Sequence, residues 1–463
     1  MADIYSKLIR GTAVYAIGNF GSKILLFALV PIVSFFLTKE ELGEYDLVQT
    51  AMNLLIPIFS AQIFNGTYRW LLEKKTKTPP QTVILNGLTI CVVGLLLFSI
   101  LYFITSEFIP LSISFVTGLL LLGSSMFFQY FQFVARGLGK SRLFSYSGIL
   151  YSFILVISTF LLLKIFAVGV EGLYWSIIAA NLVGSVFLFF TSKIYLYTKI
   201  ASYDLTTLKE MLHFSLPLIP NQISWWLITA SDKFLILKIL SADMNGIYAI
   251  SSRFPAIMTI INSIFLLAWQ DFTIKDDGQD VRVNTRLFNT YMRVQFGMVL
   301  LLAPLSELTV KFLVDAKFYE AYKYMPILYL GVAYSAMAGY FGAIYLKSRN
   351  TIGVFTTSIV GGIVNILITF LLMKNVGLYA SAIGTFVSFF LIVLIRILQT
   401  KKVMPIKVPF PEMLFFTILS LSLSFFVVHF DVRVNLLIFL FTSILVFYFN
   451  KNIFIKIKNR IVK

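Results

Sequence analysis

The chain has 463 residues, 59% of them hydrophobic and only 13% charged, and its mean hydropathy is +0.88. Soluble domains run near roughly 45–50% apolar and about 25% charged, so this composition excludes a soluble enzyme, a disulfide-rich secreted module and a disordered tail. The net charge of +17, from 38 Lys and Arg against 21 Asp and Glu, is first a question of which side of a membrane the basic residues take.

A helix needs about 20 predominantly apolar residues to cross the hydrocarbon core. In chain order such segments fall at 12–37, 46–68, 82–104, 110–135, 143–166 and 172–192. A second set follows at 214–237, 246–270, 289–313, 324–346, 353–373 and 379–398, and two more at 412–430 and 434–450. The pattern predicts an all-α polytopic membrane protein of about 14 transmembrane helices, two six-helix lobes plus two C-terminal helices. The expected divisions are 1–200, 201–408 and 409–463, the last ending in a basic cytoplasmic tail. With the N-terminus inside, 26 of the 38 basic residues, Arg396 among them, fall in cytoplasmic segments and 8 on the opposite side. That bias predicts cytoplasmic termini and makes the basic excess a topology signal, with no nucleic acid as partner.

The remaining four basic residues, Lys23, Lys233, Arg253 and Arg293, sit within spans. On helix one, Thr12, Tyr15, Asn19, Ser22 and Lys23 form a polar stripe at helical spacing. Helix two carries Gln49, Asn53 and Ser60, then Gln62, Asn65 and Arg69. Helix seven begins with Pro217, Pro220, Asn221 and Gln222 and continues through Trp225, Trp226, Thr229, Asp232 and Lys233. Helix eight holds Arg253, Pro255, Thr259, Asn262, Ser263 and Gln270. Ionisable groups at membrane depth cost about 2.5–3.5 kcal/mol each on insertion scales and face a bundle interior or a wet cavity by default. Lys23 and Arg253 therefore either line a cationic cavity that receives an anion or make buried ion pairs, for example with Asp232. Arg69 and Lys233, nearer helix ends, can also snorkel to head groups, and Arg293 reads as interfacial. Prolines 31, 57, 217, 220, 255 and 304 interrupt spans, which is tolerated where side chains or cavity water satisfy the freed carbonyls.

The chain also repeats itself. Leu37-Thr38, Gly43 and Tyr45 recur as Leu240-Ser241, Gly246 and Tyr248; Lys140-Ser141-Arg142 recurs as Lys347-Ser348-Arg349. Thr159 to Lys164 recurs as Thr369 to Lys374, and Gly172-Leu173-Tyr174 as Gly377-Leu378-Tyr379. The offsets are 203, 207, 210 and 205 residues. An even number of helices separates the copies, so both halves have the same orientation, the parallel-repeat arrangement of transporters whose site lies between two bundles.

Several motifs carry no chemistry. Gly139-Lys140-Ser141 lacks the phosphate loop's glycine five residues earlier, where Val134 stands, and a preceding strand. His213 and His429 stand alone, and Asp276-Asp277-Gly278-Gln279-Asp280 lacks a bidentate glutamate at calcium-loop spacing. Cys91, the one cysteine, sits in an apolar run and reads as inert. The residues predict no catalytic group, no metal and no cofactor.

In the Leu37 to Tyr45 turn, Leu216-Pro217-x-x-Pro220, Ser231-Asp232-Lys233, Gly246-Ile247-Tyr248-Ala249, Arg136 and Lys347-Ser348-Arg349, the chain resembles the polysaccharide (Wzx-type) flippases. These belong to the multidrug/oligosaccharidyl-lipid/polysaccharide exporter superfamily. The resemblance implies two lobes working by alternating access, with helices one, two, seven and eight lining the cavity. It implies a substrate too: an oligosaccharide linked to undecaprenyl pyrophosphate, moved to the outer leaflet of the bacterial cytoplasmic membrane for capsule, O-antigen or related polysaccharide. Partners would be the membrane, a polysaccharide polymerase and other assembly proteins, around a monomeric transport unit. Substrate-binding candidates are Lys23, Arg253, Asn19, Asn53, Gln62, Arg69, Gln222, Trp226 and Lys233, with Asp232 as the ion-coupling candidate. A lysine at 23 departs from the arginine of lipid II flippases and lacks its bidentate fork. The alternatives are an organic-cation antiporter of the same superfamily and, from another class, a membrane glycosyltransferase or polysaccharide polymerase.

Overall fold

The computed structural model describes residues 25–72, 78–107, 113–198, 203–275, 281–348 and 351–461. Asn19, Lys23 and the acidic turn at 276–280 lie outside the described residues.

Among the described residues the regular structure is helical. The order is α1 (Leu29–Phe36), α2 (Lys39–Phe59), α3 (Ile63–Leu72), α4 (Pro80–Ser106), α5 (Phe115–Gly137), α6 (Ser141–Phe160) and α7 (Val170–Thr191). A short α8 (Leu205–Ser215) precedes α9 (Leu218–Ile239), α10 (Ala242–Arg253), α11 (Pro255–Lys275), α12 (Val281–Leu302) and α13 (Ser306–Leu313). Then come α14 (Met325–Lys347), α15 (Thr351–Val376), α16 (Tyr379–Thr400), α17 (Phe410–His429) and α18 (Val432–Ile461). Nine described helices are individually long and apolar enough to cross a bilayer, and the bent pairs α2–α3 and α12–α13 raise the number to eleven. The other three expected spans, 12–37, 214–237 and 246–270, fall on α1, α9 and the α10–α11 pair, and residues 12–24 of the first lie outside the described residues.

The first pair of repeated motifs marks helix starts. Thr38 caps α2 with a reciprocal box: its hydroxyl accepts the Glu41 amide while the Glu41 carboxylate accepts the Thr38 amide. Ser241 caps α10 by accepting the Met244 amide. A side-chain oxygen here satisfies an amide that the first turn leaves without a partner, and that is the physical reason Leu-Thr and Leu-Ser recur.

Two compact units divide at Trp226 and Leu227, and the same three helix pairings occur within each. In the first unit α6 packs on α7, α5 on α7 and α3 on α5; in the second α15 packs on α16, α14 on α16 and α11 on α14. The second unit adds α17 and α18, which pack on α12. Within the first unit α8 is tied down by Asn86 of α4, whose amide donates to the Asp204 carbonyl at 2.8 Å and whose carbonyl accepts the Asp204 amide at 3.4 Å. Asp204 in turn caps α8, and hydrogen bonds from Thr207 and Thr206 hold its carboxyl below the usual carboxylate range.

Three expectations change. Helix two is not continuous over 46–68: α2 ends at Phe59, and α3 restarts at Ile63 after a 55° bend. Pro57 cannot donate within the helix, the Gln62 amide reaches back to the Pro57 carbonyl, and Ala61 and Gln62 adopt φ of +48° and +53°. Helix nine starts at Val281, not 289, and breaks by 57° at Pro304 before α13. Its first turns look like a loop because Arg282, Asn284, Thr285, Arg286 and Asn289 are polar, yet Asn284 is buried and Arg282 and Arg286 are exposed, as on a two-faced helix. Arg396, expected at a cytoplasmic end, is only 1% exposed inside the second unit. Arg293, read as interfacial, forms a two-point ion pair with Glu412 of α17, at 2.5 and 3.0 Å.

Gly94 of α4 lets the Phe59 carbonyl at the end of α2 approach so closely that a Cβ would collide with backbone. Gly94→Ala is expected to lower the unfolding midpoint of the detergent-solubilised chain, at a cost of about 1–3 kcal/mol; an unchanged midpoint would mean the helices are not so close. A second expectation concerns pH. Because the Asp204 carboxyl is held low, its contribution to α8 is complete above the ordinary carboxylate pKa and is lost as pH falls through the lowered value. Hydrogen exchange at the Thr206 and Thr207 amides, corrected for intrinsic rates, should show that loss in the native chain and not in Asp204→Ala.

Candidate functional site: polar groups at membrane depth

In the first unit the break between α2 and α3 places Gln62 inside the protein, 7% exposed, with its side-chain carbonyl accepting from Asn65 at 2.6 Å. Arg69, near the end of α3, is exposed and lies over the Phe214 ring of α8 at 4.4 Å. Trp226 donates its indole N–H to the Thr50 carbonyl of α2 at 2.9 Å. Asn53 lies one turn beyond Thr50 and Gln222 one turn before Trp226, and both are exposed. That bond ties Trp226 to α2 within one turn of Asn53. Gln62 and Arg69 lie apart from it, past the bend.

The second unit holds a buried carboxylate at the position singled out by the sequence. Asp232 of α9 is 3% exposed. The Tyr248 hydroxyl of α10 donates to its Oδ2 at 2.5 Å, and the Lys233 amide donates to its Oδ1 at 3.0 Å. Donors on a buried carboxylate offset much of the cost of burial. Lys233 itself is half-buried. Arg253 closes α10, five residues past Tyr248, or about 7.5 Å along the helix. It is half-buried beside the Phe254–Pro255 break. The loss of an amide donor at Pro255 separates α10 from α11 and leaves the arginine at a helix end.

Deeper along α11, Asn262 and Gln295 of α12 exchange two hydrogen bonds, at 3.0 and 2.6 Å, with both side chains buried. Next to them Phe265 stacks on Tyr291 at 4.1 Å and Trp269 stacks on Tyr340 at 4.1 Å, while the Trp269 indole donates to the Tyr340 carbonyl at 2.9 Å. Arg396 of α16 donates to Thr357 at 3.1 Å, Ser358 at 3.2 Å and the Ala338 carbonyl at 2.8 Å. These neutral acceptors come from α14 and α15, so one guanidinium bridges three helices. Reading charges by loop position missed it. The recoverable signal is Thr357-Ser358, a pair of hydroxyls in an apolar helix one partner away. Tyr248 was visible as the repeat partner of Tyr45, but its bond to Asp232 was not.

Nothing in this arrangement resembles a catalytic constellation; it is a set of hydrogen-bonding groups distributed along transmembrane helices. The sequence profile of a family described as "Polysaccharide biosynthesis protein" matches residues 8–270, more than half of the chain. The chain belongs to that family. No protein with a curated description matches it. Among solved structures, the lipid II flippase MurJ in an inward closed conformation is similar with a TM-score of 0.69 at 17% identity, over 96% of this chain and 100% of that one. A multidrug resistance MATE family transporter of the MOP superfamily, in an inward-facing conformation, gives 0.67 at 14% identity, over 84% of this chain and 94% of that one. At these identities the likeness establishes fold alone: this family member is a multi-pass, all-helical membrane protein with the fold of those two structures.

A double-variant cycle tests the buried carboxylate. Tyr248→Phe and Asp232→Leu should couple by about 1–3 kcal/mol in unfolding free energy. Additive losses would mean that hydroxyl and carboxylate do not bond.

Proposed function

We propose that this family member is a Wzx-type flippase. It moves undecaprenyl-pyrophosphate-linked oligosaccharide units from the cytoplasmic to the outer leaflet of the bacterial inner membrane, by alternating access, with both termini cytoplasmic. The observation that carries this reading is the match to a polysaccharide biosynthesis family across residues 8–270 on a fold shared with a lipid II flippase. Such proteins transport and do not catalyse.

Under this reading the lipid tail stays in the bilayer while the head group passes along the protein. Lys23 and Arg253 hold the diphosphate, with Arg69 and Lys233 as further cations. Asn19, Asn53, Gln62, Gln222 and Trp226 supply the amide and indole groups that suit sugar hydroxyls. Two negative charges leaving a negative interior gain about 2.3 kcal/mol each per 100 mV, so the membrane potential can bias direction without nucleotide hydrolysis. Asp232, dry and held by Tyr248, is the group suited to take up a coupling ion. A polysaccharide polymerase and other assembly proteins are the expected partners of a monomeric transport unit.

That same carboxylate favours one competing reading, an organic-cation antiporter, because a buried anion is what a cation site requires. Both are tested together in reconstituted vesicles of the full chain. Lys23→Ala with Arg253→Ala should slow flipping of a polyprenyl-diphosphate-linked oligosaccharide by at least about tenfold, the loss of charged hydrogen bonds. Unchanged flipping in a correctly folded double variant would reject the anion site, and uptake of an organic cation abolished by Asp232→Asn would favour the antiporter.

A further inference from the structure

The second unit carries a basic groove that the transport reading does not use. It has a volume of about 450 Å³ and is lined by Arg282, Arg286, Arg293 and Lys407 together with Thr285, Asn289 and Thr290. On α12 these residues recur at helical spacing, so Arg282, Arg286, Asn289 and Arg293 share one face. The second wall is the segment between α16 and α17: the Lys407 amide donates to the Thr285 hydroxyl at 3.2 Å, and Glu412 of α17 clasps Arg293. Among the described residues, Glu412 is the carboxylate that meets this cationic face. The clasp neutralises Arg293 and braces the groove, while Arg286 and Lys407 remain exposed at its mouth.

We propose that this groove binds the phosphate head group of an anionic membrane phospholipid. The groove combines guanidinium and ammonium donors with hydroxyl and amide groups, the set that a phosphodiester accepts from. Its position supplies the second half of the argument. Along α17, Phe410, Leu414 and Ile418 are 46%, 55% and 56% exposed at a spacing of four residues, beginning just before Glu412. On α12, Val283, Leu287 and Val294 are also exposed. On α12 these apolar residues lie level with the arginines, while on α17 the apolar face begins at the cationic end, which puts the groove at the height of the head groups of lipid covering that face.

The test uses the purified full chain and native mass spectrometry, comparing retention of phosphatidylglycerol with phosphatidylcholine of the same acyl length. The unaltered chain should retain phosphatidylglycerol preferentially. Arg286→Gln with Lys407→Gln should weaken retention about fivefold per charge removed, on the order of thirtyfold for the pair. The control is Lys401→Gln with Lys402→Gln, which removes two exposed charges from the same segment outside the groove, and it should lose far less. Equal losses in the two double variants would overturn the proposal, because the preference would then belong to the basic surface at large. Displacement of phosphatidylglycerol by millimolar inorganic phosphate would overturn it as well, by assigning the site to free phosphate. Salt provides a measurement without mutation: retention should fall as ionic strength rises, and indifference to salt would count against a charged head group.

Discussion

Hydrocarbon offers no hydrogen bonds, so each polar atom of this chain at membrane depth has to find its partner within the protein. The consequences are visible at the longest buried polar side chains. Asn262 and Gln295 bond to each other twice, Asp232 is held by a tyrosine hydroxyl and a backbone amide, and Arg396 distributes its donors over hydroxyls and a carbonyl from two other helices. In water each of these groups could be satisfied by solvent and would leave its helix free to move. Here the same groups act as cross-links, and packing follows them. The apolar side chains behave in the opposite way. Leu96, Phe190, Phe312 and Ile444 are all more than 60% exposed, which would promote aggregation in a soluble domain and is neutral against lipid.

The same constraint explains where the backbone is allowed to be irregular. The break at Ser60–Gln62 and the break at Pro304 both fall where neighbouring residues are buried, so carbonyls freed by the bends are not left facing acyl chains. Ala61 and Gln62 occupy the left-handed region without being glycine, a conformation that costs about 1–2 kcal/mol per residue. The surrounding packing, with Ile63 and Phe64 buried beside them, holds the bend in spite of that cost. Broken helices of this kind free amide and carbonyl groups inside a spanning pair, where packed neighbours rather than lipid surround them.

The basic excess serves more than one purpose. Most basic residues fit the orientation bias of a polytopic chain. Arg396 is instead a bridge inside the second unit, Arg293 is half of an ion pair, and Arg282, Arg286 and Lys407 shape a groove at one end of α12. A charge count treats all of these alike. Only their surroundings, a hydroxyl pair for Arg396 and a carboxylate for Arg293, tell them apart.

The sequence by itself determined the medium and an all-helical, many-span fold, because both depend on local runs of about 20 apolar residues. It also singled out Asp232, since a lone carboxylate in an apolar run is conspicuous without any coordinates. The bends after Phe59 and at Leu302, the early start of α12 at Val281, and the partners Tyr248, Thr357 and Glu412 were decided by tertiary structure alone. Those features are set by which residues from distant parts of the chain share the same dry space. Neither hydropathy nor periodicity carries that information, because both describe a helix by its own residues and not by the neighbours that satisfy its polar atoms.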